Sequence, residues 1–291
     1  MPIITINRPE FFLQANLDEY NRRIWIQDYR VNNATALRFF LLDLAKVQNL
    51  EKIIFPVKEA DLHLLRGEEF RLEGVIKGYF QGADAYFLTF YLSEKRCRSG
   101  SLLQEKQLLE KILGQPREYQ SVLPKGFSLK LATGEHTKDM AELFNTVFSS
   151  YPTPVYDPSY LREAIQTGDI YVVCYEDHTL AGVSTAEIDW NQRHAELTNC
   201  ATHPDYRGMG LNTILLKRLE ENCRTKGIHC LFSLSRASSY GMNLVLHRLG
   251  YEVQGRLINN CHIAGDYENM NIWVKPTLNS YKYLYQNALA K

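Results

Sequence analysis

The segment Ala195-Glu-Leu-Thr-Asn-Cys-Ala-Thr-His-Pro-Asp-Tyr-Arg-Gly-Met-Gly-Leu-Asn-Thr-Ile-Leu-Leu-Lys217 constrains this chain more than any other. It reads as a strand, a tight glycine-containing turn and an amphipathic helix. In that order, several backbone N–H groups of a helix N-terminus point at one spot, which suits an anion. The helix that follows carries apolar residues at 211, 214, 215, 219 and 223, a one-sided stripe that packs on a sheet.

The elements around this unit are those of a mixed α/β order. The pattern predicts a strand over 127–132 and a helix over 137–148, with Thr137 as its N-cap. Strands over 169–175 and 180–189 form a hairpin, and 195–202 is the next strand. A helix over 211–226 ends at Gly227, 228–234 is a strand, and a helix over 238–249 ends at Gly250. Strands near 251–259 and 268–274 close the series. The connector 114–126, bounded by proline and glycine, separates this part from the first. The expected division is 1–125, 126–278 and a tail over 279–291.

The first part holds a pattern similar to the end of the second. Residues 70–90 and 251–273 each show an aromatic residue, a glycine (Gly74, Gly255), an alternating strand, a glycine turn (Gly82, Gly265) and a second strand. Each is preceded by a strand and a short helix, 52–57 with 60–65 against 228–234 with 238–249. This is a partial internal repeat, or two unrelated hairpins that look alike. The first half carries no phosphate loop.

The loop Arg207-Gly-Met-Gly-Leu-Asn212, the preceding His203-Pro-Asp-Tyr206 and the later Asn243-Leu-Val-Leu-His-Arg-Leu-Gly-Tyr251 together resemble the GNAT acetyltransferases. Asn212 stands where that family usually has Gly or Ala, a change that asparagine's ability to cap helix amides accommodates. The resemblance implies an α/β GNAT fold with a mixed, splayed central sheet, preceded here by a smaller α/β half. It implies acetyl-CoA as co-substrate, held by Arg207, Gly208, Met209, Gly210, Leu211, Asn212 and Thr213 and by the backbone of Cys200, Ala201 and Thr202. Glu196 matches the position of the amine base in some members; its other reading is a solvent-facing strand carboxylate. The usual tyrosine that protonates the departing thiolate is replaced by Leu246. Cys200 is expected as a packed thiol rather than a nucleophile, because no histidine or acid is arranged to activate it.

Over the whole chain, the segment 149–158, the run Gly255-Arg-Leu-Ile-Asn-Asn-Cys-His-Ile263 and Asn269-Met-Asn-Ile-Trp273 are similar to the β-lysine N-acetyltransferases. That resemblance implies transfer of acetyl to the terminal amine of a small amino acid. Such an acceptor, with two amines and one carboxylate, needs acidic or amide groups and one cation. Glu187, Asp189, Asn259, Asn260 and Tyr156 are the candidates for binding it. Other readings are protein-lysine or polyamine acetylation, or a catalytically silent acetyl-CoA-binding protein.

Balance between 33 basic and 33 acidic residues removes any global electrostatic case for nucleic acid or an anionic membrane. No stretch is long and apolar enough for a span, and the start does not read as a signal peptide. Six scattered cysteines without a CxxC pair fit free thiols in a reducing cytoplasm, and the histidines show no metal-ligand spacing. The first half is expected either to cap an exposed sheet edge or to mediate a homodimer through it.

Overall fold

Alternation of apolar and polar residues over Leu13-Gln-Ala-Asn-Leu-Asp18 makes a strand buried chiefly on one face, and the chain opens as a three-stranded meander. Its strands are β1 (Ile3–Asn7), β2 (Phe11–Asp18) and β3 (Arg23–Val31). The computed structural model describes residues 3–65, 69–117, 122–228, 230–263 and 265–276. The expected tail over 279–291 lies outside the described residues.

After β3, Asn33 accepts a hydrogen bond from the Ala36 amide and starts α1 (Ala34–Val47), which buries Leu37, Leu41 and Ala45 against the meander. Then come β4 (Lys52–Lys58), the short α2 (Leu62–Leu65) and the hairpin β5 (Arg71–Phe80) and β6 (Ala83–Tyr91). Helices α3 (Glu94–Cys97) and α4 (Leu102–Leu113) lead to the second half.

That half comprises β7 (Phe127–Leu131), α5 (Thr137–Val147), α6 (Pro158–Thr167), β8 (Ile170–Glu176), β9 (Thr179–Asp189) and β10 (His194–Thr202). It continues through α7 (Leu211–Thr225), β11 (Cys230–Arg236), α8 (Tyr240–Arg248), β12 (Glu252–Ile263) and β13 (Asp266–Pro276). The predicted hairpin and the two glycine-ended helices are present. Thr137 is not an N-cap: a 3₁₀ turn over Gly134–His136 precedes the helix, closed by a capping box of Thr133 and His136. Thr137 is instead the first helical residue, its Oγ1 donating to the Gly134 carbonyl at 2.9 Å. Apolar periodicity does not register a single 3₁₀ turn, which hid the true start.

The described strands form one sheet in the order β1-β2-β3-β4-β6-β5-β12-β13-β11-β10-β9-β8-β7. The run β1-β2-β3-β4-β6-β5 has the same order as β8-β9-β10-β11-β13-β12, so the similarity read between two hairpins extends over six strands of each half. The first half caps the edge of the second, with β5 paired antiparallel to β12 where Gly74 faces Gly255. A Cβ on Gly255 would stand 2.2 Å from the Glu73 carbonyl oxygen, and one on Gly74 would stand 2.6 Å from Ile272 Cδ1. Only glycine permits that approach. Beside it, the buried Lys52 ammonium donates to Glu73 Oε2 at 3.1 Å and to the Ile258 carbonyl at 2.8 Å.

In the second half, Leu215, Leu216 and Leu219 of α7 pack with Trp273 on one sheet face. Met140, Phe144 and Leu161 of α5 and α6 pack with Tyr171, Val173 and Val183. A mixed sheet thus lies between helices, the architecture that the resemblance implied.

Candidate active site

Two parallel strands part company at the centre of the second half. β10 pairs with β11 only from His194–Glu196 against Cys230–Phe232. Beyond Glu196 the two diverge, because β10 bulges: Asn199 adopts a left-handed conformation (φ 48°), and the register to β9 shifts between Thr198 and Ala201. The ladder resumes with Ala201 opposite Val183 and Thr202 opposite Gly182. Between the diverging strands lies a slot of about 230 Å³ whose lining includes Thr198, Cys200, Asn212, Ser233 and Met242.

The predicted anion loop lies at the start of α7. Gly208 and Gly210 have φ of 83° and 76°, conformations that cost an L side chain about 1–2 kcal/mol. The first amides with helical acceptors are those of Thr213 and Ile214, both bonded to the Gly210 carbonyl. The Leu211 and Asn212 backbone amides before them make no hydrogen bond among the described residues and stay free for a ligand. Arg207 and Met209 are exposed, whereas Leu211 and Thr213 are buried in the packing of the helix. Asn212 does not cap the helix. Its Oδ1 accepts from Ser184 Oγ at 3.0 Å and its Nδ2 donates to Met242 Sδ at 3.4 Å, which turns the amide toward the slot. A narrow slot leading from a strand splay, beside a free helix N-terminus, fits an extended thioester carrier ending in phosphates. Burial raises the Cys200 thiol to about 11, so it stays protonated.

The same splay opens on its other side into a cavity of about 1060 Å³ walled by both halves. Thr198, Leu234 and Tyr151 line cavity and slot alike. Period-two alternation puts His194, Glu196 and Thr198 of β10 on the cavity face. Glu196 stands directly across the ladder from Glu187. Burial, reinforced by Glu187, raises the Glu196 carboxyl to about 8. Burial and then Asp169 raise Glu187 to about 7, opposed by Asn199 Nδ2, which donates to Glu187 Oε1 at 2.8 Å. Asp169 itself is raised by burial to about 6, although its Oδ1 accepts from the Ile188 amide. The lining carries the carboxylates of Asp18, Asp28, Asp169, Glu187, Asp189 and Glu196, against Arg23 as its one Arg or Lys among the described residues.

Of the predicted acceptor residues, Glu187, Asp189 and Asn260 line this cavity. Asp189 also accepts from the amides of Asn191 and Gln192 and so holds the turn after β9. Asn259 lies elsewhere: its Nδ2 donates to the Arg96 and Arg98 carbonyls, both at 2.9 Å, and it lines a second cavity. The positive φ of Asn259 (44°), at an irregularity in the β12–β13 register, separates the two neighbouring asparagines. Tyr156 donates to the Phe148 carbonyl at 3.2 Å and lines neither slot nor cavity. Tyr151 of the same segment holds that place, its hydroxyl hydrogen-bonded to Thr198 and kept protonated mainly by burial. Leu246 is wholly buried in the core, and His247 Nε2 is engaged with the Gln115 carbonyl.

Sequence reasoning expected the 151–158 segment over the acceptor pocket but singled out Tyr156 rather than Tyr151, and it missed His194 and the whole contribution of the first half. His194 was readable, two residues before Glu196 on the same strand face. Among the described residues no cluster of His, Cys, Asp and Glu is arranged to hold a metal, and no helix is long and apolar enough to cross a membrane.

Comparison with known proteins agrees with this geometry. Residues 137–251 match the sequence profile of the acetyltransferase (GNAT) family. The N-acetyltransferase YodP of Bacillus subtilis is 38% identical over 258 residues, which are 89% of this chain and 94% of that protein. The β-lysine N(6)-acetyltransferase of Methanosarcina mazei is 30% identical over 224 residues, 70% of this chain and 83% of that protein. Its counterpart in Methanococcus maripaludis is 27% identical over 228 residues, 78% and 83% respectively. The chain belongs to the GNAT family and is an N-acetyltransferase that draws its acetyl group from acetyl-CoA.

Proposed function

We propose that the protein acetylates the terminal primary amine of a small amino acid of the β-lysine type. The observation that carries this reading is the acidic cavity that meets the coenzyme slot at the splay beside Glu196. The two β-lysine N(6)-acetyltransferases among its relatives support it. In this reading residues 126–278 are the transferase domain and 1–125 a reduced GNAT-like domain without a coenzyme loop.

Acetyl-CoA supplies an activated acyl group as a thioester. The loop from Arg207 to Thr213 and the bulged strand at Cys200–Thr202 hold it, with free amides of α7 on its phosphates. An alkyl ammonium has a pKa of about 10.4 and must lose a proton before it attacks. Glu196 takes that proton; a base whose pKa lies near the working pH is well matched to the task. Glu187, Asp189 and Asn260 hold the ammonium-bearing acceptor. Asn259 and Tyr156 have no part in it, since their polar groups are engaged away from the cavity. A thiol held protonated at Cys200 favours direct attack by the amine over an acyl-cysteine route. Tyr151, a phenol kept protonated between slot and cavity, supplies a donor for the departing thiolate, and Leu246 on α8 cannot.

The test is coenzyme release across β-lysine, lysine, spermidine and a histone-like peptide. β-Lysine is expected to be acetylated with the highest kcat/KM. Absence of turnover on every diamine would overturn the proposal.

A further inference from the structure

The polar face of the first hairpin has a use that an ordinary outer sheet face lacks. Leu13, Ala15 and Leu17 of β2 and Ile24 and Ile26 of β3 are buried beneath α1. By period two, Asn16, Asp18, Arg23 and Trp25 share the opposite face, where Asn16 is paired with Trp25 and Asp18 with Arg23. That face does not look into open solvent. It forms a wall of the cavity that holds Glu187 and Glu196.

Arg23 is fixed there. Its Nε donates to Asp18 Oδ2 at 2.8 Å, its Nη1 donates to the Asn260 carbonyl at 3.1 Å, and its guanidinium lies 5.1 Å from the Trp25 ring. Asp18 is held in turn by the backbone and side-chain amides of Asn21, at 3.0 and 2.7 Å. The Arg23 side chain is only 11% exposed, and no described residue accepts from its Nη2. The fork is therefore pre-oriented with a donor to spare, the arrangement that recognises a carboxylate. Charge decides where an acceptor's carboxylate goes. Carboxylates elsewhere on the lining repel it, and Arg23 is the cationic point among them.

Resting on the amine-acceptor reading above, we propose that Arg23 receives the carboxylate of the acceptor. The first half thereby selects amino acids over plain diamines, while the acidic wall of the second half takes the ammonium groups.

The experiment compares β-lysine with 1,4-diaminopentane, which is β-lysine without its carboxylate, in the parent and in Arg23→Gln. The parent is expected to prefer β-lysine. The ratio of the two kcat/KM values should fall on the order of 10- to 100-fold in R23Q, the range for hydrogen bonds to a charged group. Acetyl-CoA affinity, measured separately by calorimetry, reports whether the coenzyme site is intact. Should R23Q fail to fold by circular dichroism, Arg23→Lys serves the same comparison, with a smaller fall in the ratio because the charge stays and the fork is lost. An unchanged ratio with both diamines still acetylated overturns the role of Arg23 alone. No turnover of either overturns the acceptor reading with it.

Discussion

Glu196 and Glu187 face each other across adjacent strands, both buried, and each disfavours the other's charge. Two such groups titrate as a pair, in two steps that belong to both. Both carboxyls are raised, so at pH 6 the free enzyme holds Glu196 protonated and unable to take the ammonium proton. The sign follows: kcat/KM for the acceptor should climb with pH and level off above about 8. Glu196→Gln should lower kcat by about 10²- to 10⁴-fold at neutral pH and shift the remaining rate to higher pH, where the free amine is populated. Coenzyme affinity measured by calorimetry should be nearly intact. A variant as fast as the parent at pH 7 would discard Glu196 as the base. At this scale the strand sequence named the residue, but the partner that tunes it came from a cross-strand register that spacing does not reveal.

At the scale of elements, the proposed coenzyme site is a property of one strand–loop–helix unit. Gly208 has φ 83° and open space around its Cβ direction, so a side chain there meets a backbone penalty and no clash. Gly208→Ala should weaken acetyl-CoA binding on the order of 10-fold, the equivalent of a 1–2 kcal/mol conformational cost. Gly227 has φ 74° at the far end of α7 and equally open space. Gly227→Ala should lower stability with no effect on coenzyme affinity, which separates loop geometry from a general loss of helix packing. Equal affinity in G208A and the parent would show that the loop conformation does not set binding. Most elements of the second half were legible because amphipathic periods and glycine stops are local. Helix α6 was not read, although Asp157 caps it, Pro158 begins it and Gly168 ends it with φ 116°. The proline-rich run before it masked those signals.

At the scale of the molecule, the cavity proposed for the acceptor has its two walls joined at the seam where β5 meets β12. Gly255→Ala would set a Cβ against backbone atoms of Glu73 and Gly74, which cannot swing aside as a side chain does. The expected loss is at least about 3 kcal/mol in urea unfolding, the upper range for overpacking. Acceptor KM should rise in the fraction that still folds, because the wall carrying Asp18 and Arg23 moves with β5. Stability and KM equal to the parent's would mean that the seam is looser than the close approach of Gly74 and Gly255 indicates.

What the sequence by itself determined is the donor half of the reaction. The loop, its glycines and the helix that follows lie within about two dozen consecutive residues, and the forces that shape them, steric limits on φ and hydrogen bonds within a few residues, act over that range. The proposed acceptor half was assembled by tertiary structure: the sequence named Glu187, Asp189, Glu196 and Asn260 but not Asp18 and Arg23 beside them. Its lining runs from Asp18 and Arg23 through Glu187 and Glu196 to Asn260, on strands of both halves. Alternation in β2 and β3 announces a polar face but not what that face looks upon. Contacts between the halves, among them the pairing of β5 with β12 at Gly74 and Gly255 and the bonds of Arg23 and Lys52 to the Asn260 and Ile258 carbonyls, turn it from an outer surface into a wall of the proposed acceptor cavity.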